Sequence, residues 1–197
     1  MTQTAYAAKD LLDVVRHQRI AAAALDKLGA LGVKSANKPW NLDKKQRAEN
    51  LSLFRSTLND AGYWADFRKY TQWVEMYRIG NCWERGTVFA YYASQDPAIE
   101  GSHLYRVQAV GWDHVWSVLT TRQLGINQTY GLEALGASGV VLDGWSEDWW
   151  FPNIDNVAAM KIGCWRAGNP FALSLRVRIQ TLNRRFQVQA RCGGQGT

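Results

Sequence analysis

Cys82, His114 and Asp143 lie in the contexts Gly80-Asn81-Cys82-Trp83-Glu84, Trp112-Asp113-His114-Val115-Trp116 and Val140-Val141-Leu142-Asp143-Gly144-Trp145. A thiol, an imidazole and a carboxylate are the groups a cysteine nucleophile needs, because the imidazole takes the thiol proton and the carboxylate orients the imidazole. The set points to a cysteine hydrolase or acyl transferase. Cys82 follows a Gly-Asn turn and opens a helix-like segment. Unsatisfied backbone N–H groups and the positive end of the helix dipole favour a thiolate there. Gly80 permits a tight entry, and the Cys82 amide is available as one oxyanion donor. The competing reading is an inert Cys82, since most free cysteines are small buried hydrophobes.

His114, one of three histidines, begins an apolar strand-like run, where an imidazole can reach a thiol on an adjacent helix. His103 is the competitor and His17 ranks third. Asp143 ends an apolar run, and a carboxylate there is costly to bury without a partner. The imidazole N–H would be such a partner and would fix the tautomer that faces the thiol. Asp113, Glu147 and Asp148 are the alternatives, and Asp143-Gly144 is also a common turn pair. No side-chain donor for the oxyanion stands out; Gly80, Asn81 and Gln72 are the nearby candidates. Trp83, Trp112, Trp116 and Trp145 crowd the motifs and suggest a walled, narrow entrance, which favours a side-chain amide over an extended peptide.

These groups must be held by the elements around them. Apolar residues recur at helical spacing over residues 3–31, a loop containing Pro39 follows, and helices are expected from Asn41 or Asp43 to Leu58 and over residues 63–77. Trp64, Phe67, Trp73 and Met76 would form the buried side of the last of these. A helix from Cys82 to Ser94 stops at Asp96-Pro97. Beyond Pro97 the period falls from 3.6 to about 2, giving strands over residues 104–110, 114–121 and 140–142, with a further strand over residues 158–164. Alternation of Leu173, Leu175, Val177 and Ile179 with polar residues marks one more. Residues 122–138 read as a loop or hairpin extension. Helices first and strands second imply an α+β fold with an antiparallel sheet. The 197 residues, 47% of them hydrophobic, suit one catalytic domain over residues 1–197, with a helical lobe over 1–79 and the nucleophile helix and sheet over 80–197.

The formal charge of +6 attracts acidic partners without naming one, and it gathers in the last third at Arg166, Arg176, Arg178, Arg184, Arg185 and Arg191. No zinc-finger, helix-turn-helix or RNA-recognition signature accompanies it, so nucleic acid is disfavoured as a partner. Three widely spaced cysteines, at 82, 164 and 192, suggest neither a disulfide framework nor a zinc site, and no metal or cofactor is implied. The first residues lack a signal-peptide pattern. No apolar run approaches the roughly 20 residues that span a bilayer. A cytoplasmic protein without membrane contact is expected.

Across residues 80–146 the motifs resemble those of papain-like and transglutaminase-like bacterial toxin and effector domains. In those families a G-N-C-x-E turn opens the nucleophile helix, a D-H-x-x-x-V strand carries the base and an apolar strand ends in D-P-W. The resemblance implies a papain-like fold and a triad of Cys82, His114 and Asp143 that attacks an amide carbonyl. It further implies a secreted effector acting on a target protein in another cell, delivered by a specialised system or within a larger toxin, with an immunity or activating protein as a further partner. Deamidation or transamidation of a glutamine or asparagine side chain leads this reading, with proteolysis as runner-up and a non-catalytic basic binding module as the third possibility. Two departures stand out: Gly144 replaces the usual Pro, and the interval between His114 and Asp143 is longer than in several deamidase effectors, which an insertion at residues 122–138 would explain.

Overall fold

A computed structural model describes residues 8–35, 43–60, 66–110, 114–154 and 176–180. It is an α+β protein. Among the described residues four helices come first: α1 (Ala8–Leu31), α2 (Lys44–Asp60), α3 (Phe67–Tyr77) and α4 (Cys82–Ser94). Six described strands follow, β1 (His103–Ala109), β2 (Val115–Thr120), β3 (Thr129–Gly131), β4 (Val140–Asp143), β5 (Asp148–Trp150) and β6 (Arg176–Gln180). They form one sheet in the order β3-β6-β1-β2-β4-β5, with every neighbouring pair antiparallel.

Each helix near the site is bounded by recognisable chemistry. α1 runs through Gly29 and ends at Gly32, whose φ of 65° is a backbone state glycine enters without a Cβ penalty. α3 starts where the Asp66 carboxylate accepts the Lys69 N–H at 3.0 Å, an N-cap that satisfies an otherwise orphaned donor. α4 ends just before Asp96, whose carboxylate accepts the Ala98 N–H at 2.8 Å and opens a short 3-10 turn at Pro97–Ile99.

Strand alternation sorts the core into two layers. Leu104, Leu119, Val140 and Leu142 face the helices and meet Val88, Phe89, Ala90 and Ala93 of α4 together with Ile20, Ala24 and Leu28 of α1. Tyr105, Val107, Trp116, Val118, Val141 and Trp150 form the opposite layer, closed by Leu124, Leu132 and Leu135. Residues 122–138 are therefore more than a loop, because they contribute β3, a 3-10 turn at Leu132–Leu135 and buried leucines. Each fully buried Val, Leu or Phe contributes about 1.5–3 kcal/mol, so the sheet is stabilised from both faces and its β2–β4 end is a firm platform.

Several sequence expectations are corrected. Met76 is 71% exposed; the buried stripe of α3 is Tyr70, Thr71 and Val74, so a mixed polar and aromatic face packs inward while Phe67 and Trp73 are only partly covered. β3 and β5, three residues each, carry too short an alternation to be read from sequence. Trp64, the strand expected over residues 158–164, Cys164, Cys192 and most of the arginine-rich final third lie outside the described residues. Among the described residues no helix is long and apolar enough to cross a membrane.

Candidate active site

The turn that presents Cys82 is braced before the helix begins. Lys34 donates its N–H to the Arg78 carbonyl at 2.8 Å and accepts the Gly80 N–H at 3.0 Å, a short parallel bridge between Lys34 and Ile79. The Ser35 hydroxyl donates to the Asn81 side-chain oxygen at 3.2 Å. Glu84, fully buried, reaches back and accepts the Asn81 N–H at 2.9 Å, as the acidic residue of a capping box does. Gly80 makes this possible, since a Cβ there would lie 2.4 Å from the Glu84 Cβ. Cys82, partly exposed, is then the first residue of α4, where by position its amide lacks an intrahelical acceptor.

His114 sits immediately before β2. Its Nε2–H donates to Asp143 Oδ2 at 3.1 Å, which turns Nδ1 to the other side of the ring. The ring is held edge-on by Trp116 at 5.0 Å and Trp145 at 6.0 Å between centroids. Burial opposes charge on this ring, but the hydrogen bond to Asp143 and the interaction with Cys82 outweigh it and hold the His114 pKa up to about 10. The structure thus links the three sequence-nominated residues through His114, which is hydrogen-bonded to Asp143 and interacts with Cys82.

Asp143 ends β4 and is fully buried. Its Oδ2 also accepts the Trp116 Nε1–H at 3.1 Å, and its Oδ1 accepts the backbone N–H groups of Trp145 at 2.9 Å and Ser146 at 3.2 Å. Burial would raise its pKa, but His114 and the Ser146 donors overcome that and leave the carboxyl below its ordinary range. Asp143 is both turn former and imidazole partner, because its two oxygens serve the two tasks separately.

The rival assignments are accounted for by other contacts. His103 stacks on Tyr105 and pairs with Thr120, at the end of the β1–β2 ladder away from the Gln108–Val115 pair that adjoins His114. His17 is buried in α1, where one ring nitrogen meets the Ser138 carbonyl at 2.6 Å and the other the Ser102 hydroxyl at 2.8 Å. Glu147 is engaged by Arg85 at 2.5 Å, and Asp148 accepts the N–H of its neighbour Trp149. Asp113 lies outside the described residues.

The suggested aromatic cleft needs revision. Trp116 is fully buried, so it supports Asp143 and cannot wall a solvent-filled entrance. Trp145 is almost fully buried against the imidazole. Trp83, partly buried beside the nucleophile, lies under the Arg106 guanidinium at 3.6 Å, a cation–π contact. Trp112 lies outside the described residues. Of the suggested oxyanion groups, Gln72 is exposed on α3, and Asn81 and Gly80 form the braced turn described above.

Sequence reasoning missed the supports. Glu84 accepts two bonds from Arg55 of α2, at 2.7 and 2.9 Å, and one from the Tyr70 hydroxyl at 3.2 Å. Arg85, also buried, donates through Nε to the Gly144 carbonyl at 2.5 Å, through Nη1 to the Val33 carbonyl and through Nη2 to Glu147. It ties α4 to the segment beside the nucleophile turn and to the turn after Asp143. A buried arginine or glutamate is rare without a partner, so Glu84-Arg85 inside an otherwise apolar helix was the available signal. Among the described residues no group of three or more His, Cys, Asp and Glu side chains is gathered as a metal site requires.

No protein-family model matches the chain, and comparison with curated proteins and with solved structures finds no significant match to either.

Proposed function

We propose that the protein is a cysteine-dependent enzyme that acts on amide carbonyls through Cys82, His114 and Asp143, in a papain-like arrangement of a thiol-bearing helix packed on an antiparallel sheet. The observation that carries this reading is the His114 ring, hydrogen-bonded to the buried Asp143 carboxylate and interacting with Cys82.

The chemistry follows from that placement. The Cys82 thiolate attacks the amide carbon, the first-turn amides of α4 favour the developing oxyanion, and protonated His114 gives its proton to the leaving nitrogen, releasing ammonia or an amine and leaving a thioester. Water, deprotonated by His114, then hydrolyses the thioester to a carboxylic acid; an amine in its place gives a new amide. Asp143 keeps the ring oriented and stabilises its charged form. Glutamine or asparagine side chains of a target protein are the favoured substrates, on the resemblance of the three motifs to those of deamidating and transamidating toxin and effector domains. Resemblance to toxin and effector domains supports delivery into another cell and an immunity or activating partner.

Two measurements test the reading. Cys82 should alkylate faster than Cys164 and Cys192 near neutral pH, and equal rates would overturn it. Mass spectrometry of candidate target proteins exposed to wild type and to Cys82→Ala should show amide-to-acid conversion with wild type alone. A cut chain or a cross-link would reassign the reaction to proteolysis or transamidation.

A further inference from the structure

We propose that Arg55 and Glu84 form a charge-neutral clamp on the nucleophile turn, with Arg55 the positioning residue whose cation keeps the buried Glu84 carboxylate from opposing a thiolate at Cys82. The proposal rests on the reading of Cys82 as nucleophile and assigns a role to the helical lobe, which otherwise contributes no group to the triad.

Glu84 shares the first turn of α4 with Cys82 and is fully buried. Its carboxylate holds the Asn81 N–H and so fixes where the helix starts. That service has a cost, because anions at Glu84 and Cys82 in a single helical turn each disfavour the other's ionised form. Arg55 answers it by reaching across from α2, a sequence separation of 29 residues, to grip both Glu84 oxygens. Two parallel bonds to one carboxylate are the strong, orientation-specific form of this pairing. The guanidinium is itself 41% exposed, so the pair is buried on the glutamate side alone.

The other charged and titratable groups around this turn do not substitute for it. Tyr70 of α3 donates its hydroxyl to Glu84; burial first, then the Glu84 charge, push its phenol well above the ordinary range, so it remains a neutral donor. Arg106 of β1 lies over Trp83, and burial lowers its pKa to about 10. Arg85 of α4 is paired with Glu147. His114 and Asp143 pair with each other. Arg55 is held strongly basic by its bond to Glu84 above all, against the opposing effect of burial.

The test uses the full chain with Cys164 and Cys192 changed to Ser, so that iodoacetamide reports Cys82 alone across pH. Arg55→Met should move the midpoint of the alkylation profile up by about one pH unit, which slows the reaction about tenfold on the acid side. Adding Glu84→Gln to Arg55→Met should bring the midpoint back towards the parent, because the stranded anion is gone. Arg55→Lys, which keeps the charge and loses the fork, should stay close to the parent. An unchanged profile in folded Arg55→Met, or a double variant no different from Arg55→Met, overturns the clamp. If the double variant does not fold, Lys and Met decide: equal losses at Arg55 mean a purely structural role. A parent Cys82 with the profile of an ordinary free thiol would instead sink the cysteine-enzyme reading, whereas an activated parent profile that Arg55→Met leaves in place sinks the clamp alone.

Discussion

Gly144 packs against the backbone of Arg85 so closely that a Cβ on it would lie 2.5 Å from the Arg85 carbonyl carbon and oxygen and 2.9 Å from the Gly86 nitrogen. The contact joins the turn after Asp143 to the helix that carries Cys82, and it explains why this position cannot hold the proline of the resembled D-P-W pattern. Gly144→Ala should destabilise the fold by about 1–3 kcal/mol through overpacking. Gly86→Ala is the control: its Cβ would meet nothing closer than 3.7 Å, and the better helix former should gain about 0.5–1 kcal/mol. Urea unfolding of the pair checks both signs; equal effects would mean that α4 and the Asp143 turn are not in contact as described.

Arg85 secures the same junction through polar bonds. Arg85→Met should strand the buried carbonyls of Val33 and Gly144, at about 1–3 kcal/mol for each. Glu147→Gln should cost less than about 1 kcal/mol, because that partner is 48% exposed and solvent screens the pair. Denaturant midpoints for the two variants should therefore separate widely. Similar midpoints would show that the ion pair, and not the carbonyl contacts, carries the junction.

His114 and His17 link stability to pH in opposite directions. His114 has a folded pKa of about 10, because Asp143 and Cys82 outweigh the effect of burial, against an ordinary value of 6.5. The folded state binds this proton more tightly, so its stabilisation is complete below about pH 6.5 and is lost as pH climbs to about 10. His17 is the reverse: burial lowers its pKa despite the Ser138 carbonyl, so the unfolded chain takes the proton more readily and stability declines as pH drops below about 6.5. Unfolding free energies between pH 5 and 10 should show His114→Asn flattening the alkaline limb and His17→Gln flattening the acid limb. An alkaline limb that persists in His114→Asn would detach His114 from Asp143 in solution.

How much of this was legible in the sequence depended on range. The nucleophile helix could be bounded to the residue because Gly80-Asn81 and Asp96-Pro97 punctuate it locally, and β1, β2 and β4 announced themselves through β-branched runs. Asp143 was legible because a carboxylate ending an apolar run demands a partner. The Arg55–Glu84 and Arg85–Gly144 contacts span 29 and 59 residues, and no local pattern encodes such pairings. Trp116 misled for a related reason: strand alternation shows which residues share a face, but whether that face meets solvent or the leucines of residues 122–138 is decided by a segment distant in sequence.

Asp143 Oδ2 receives two N–H donors, from His114 and Trp116, and changing the acceptor or the Trp116 donor should separate orientation from charge. In Asp143→Asn, the backbone donors of Trp145 and Ser146 hold the amide oxygen at the Oδ1 position, which leaves an NH2 group facing two N–H donors. The imidazole must then change tautomer or turn away, and turnover should fall about 10³–10⁴-fold, as when a triad loses its orienting carboxylate. Trp116→Phe keeps the carboxylate and the ring contact and removes one donor; its loss should be about tenfold, for a single hydrogen bond to a charged group. Turnover on the identified substrate and the pH profile of Cys82 alkylation should shift together in Asp143→Asn. A variant that loses turnover while the alkylation profile stays at the parent's would mean that Asp143 acts after thiol activation, in the proton transfers to the leaving group and from water.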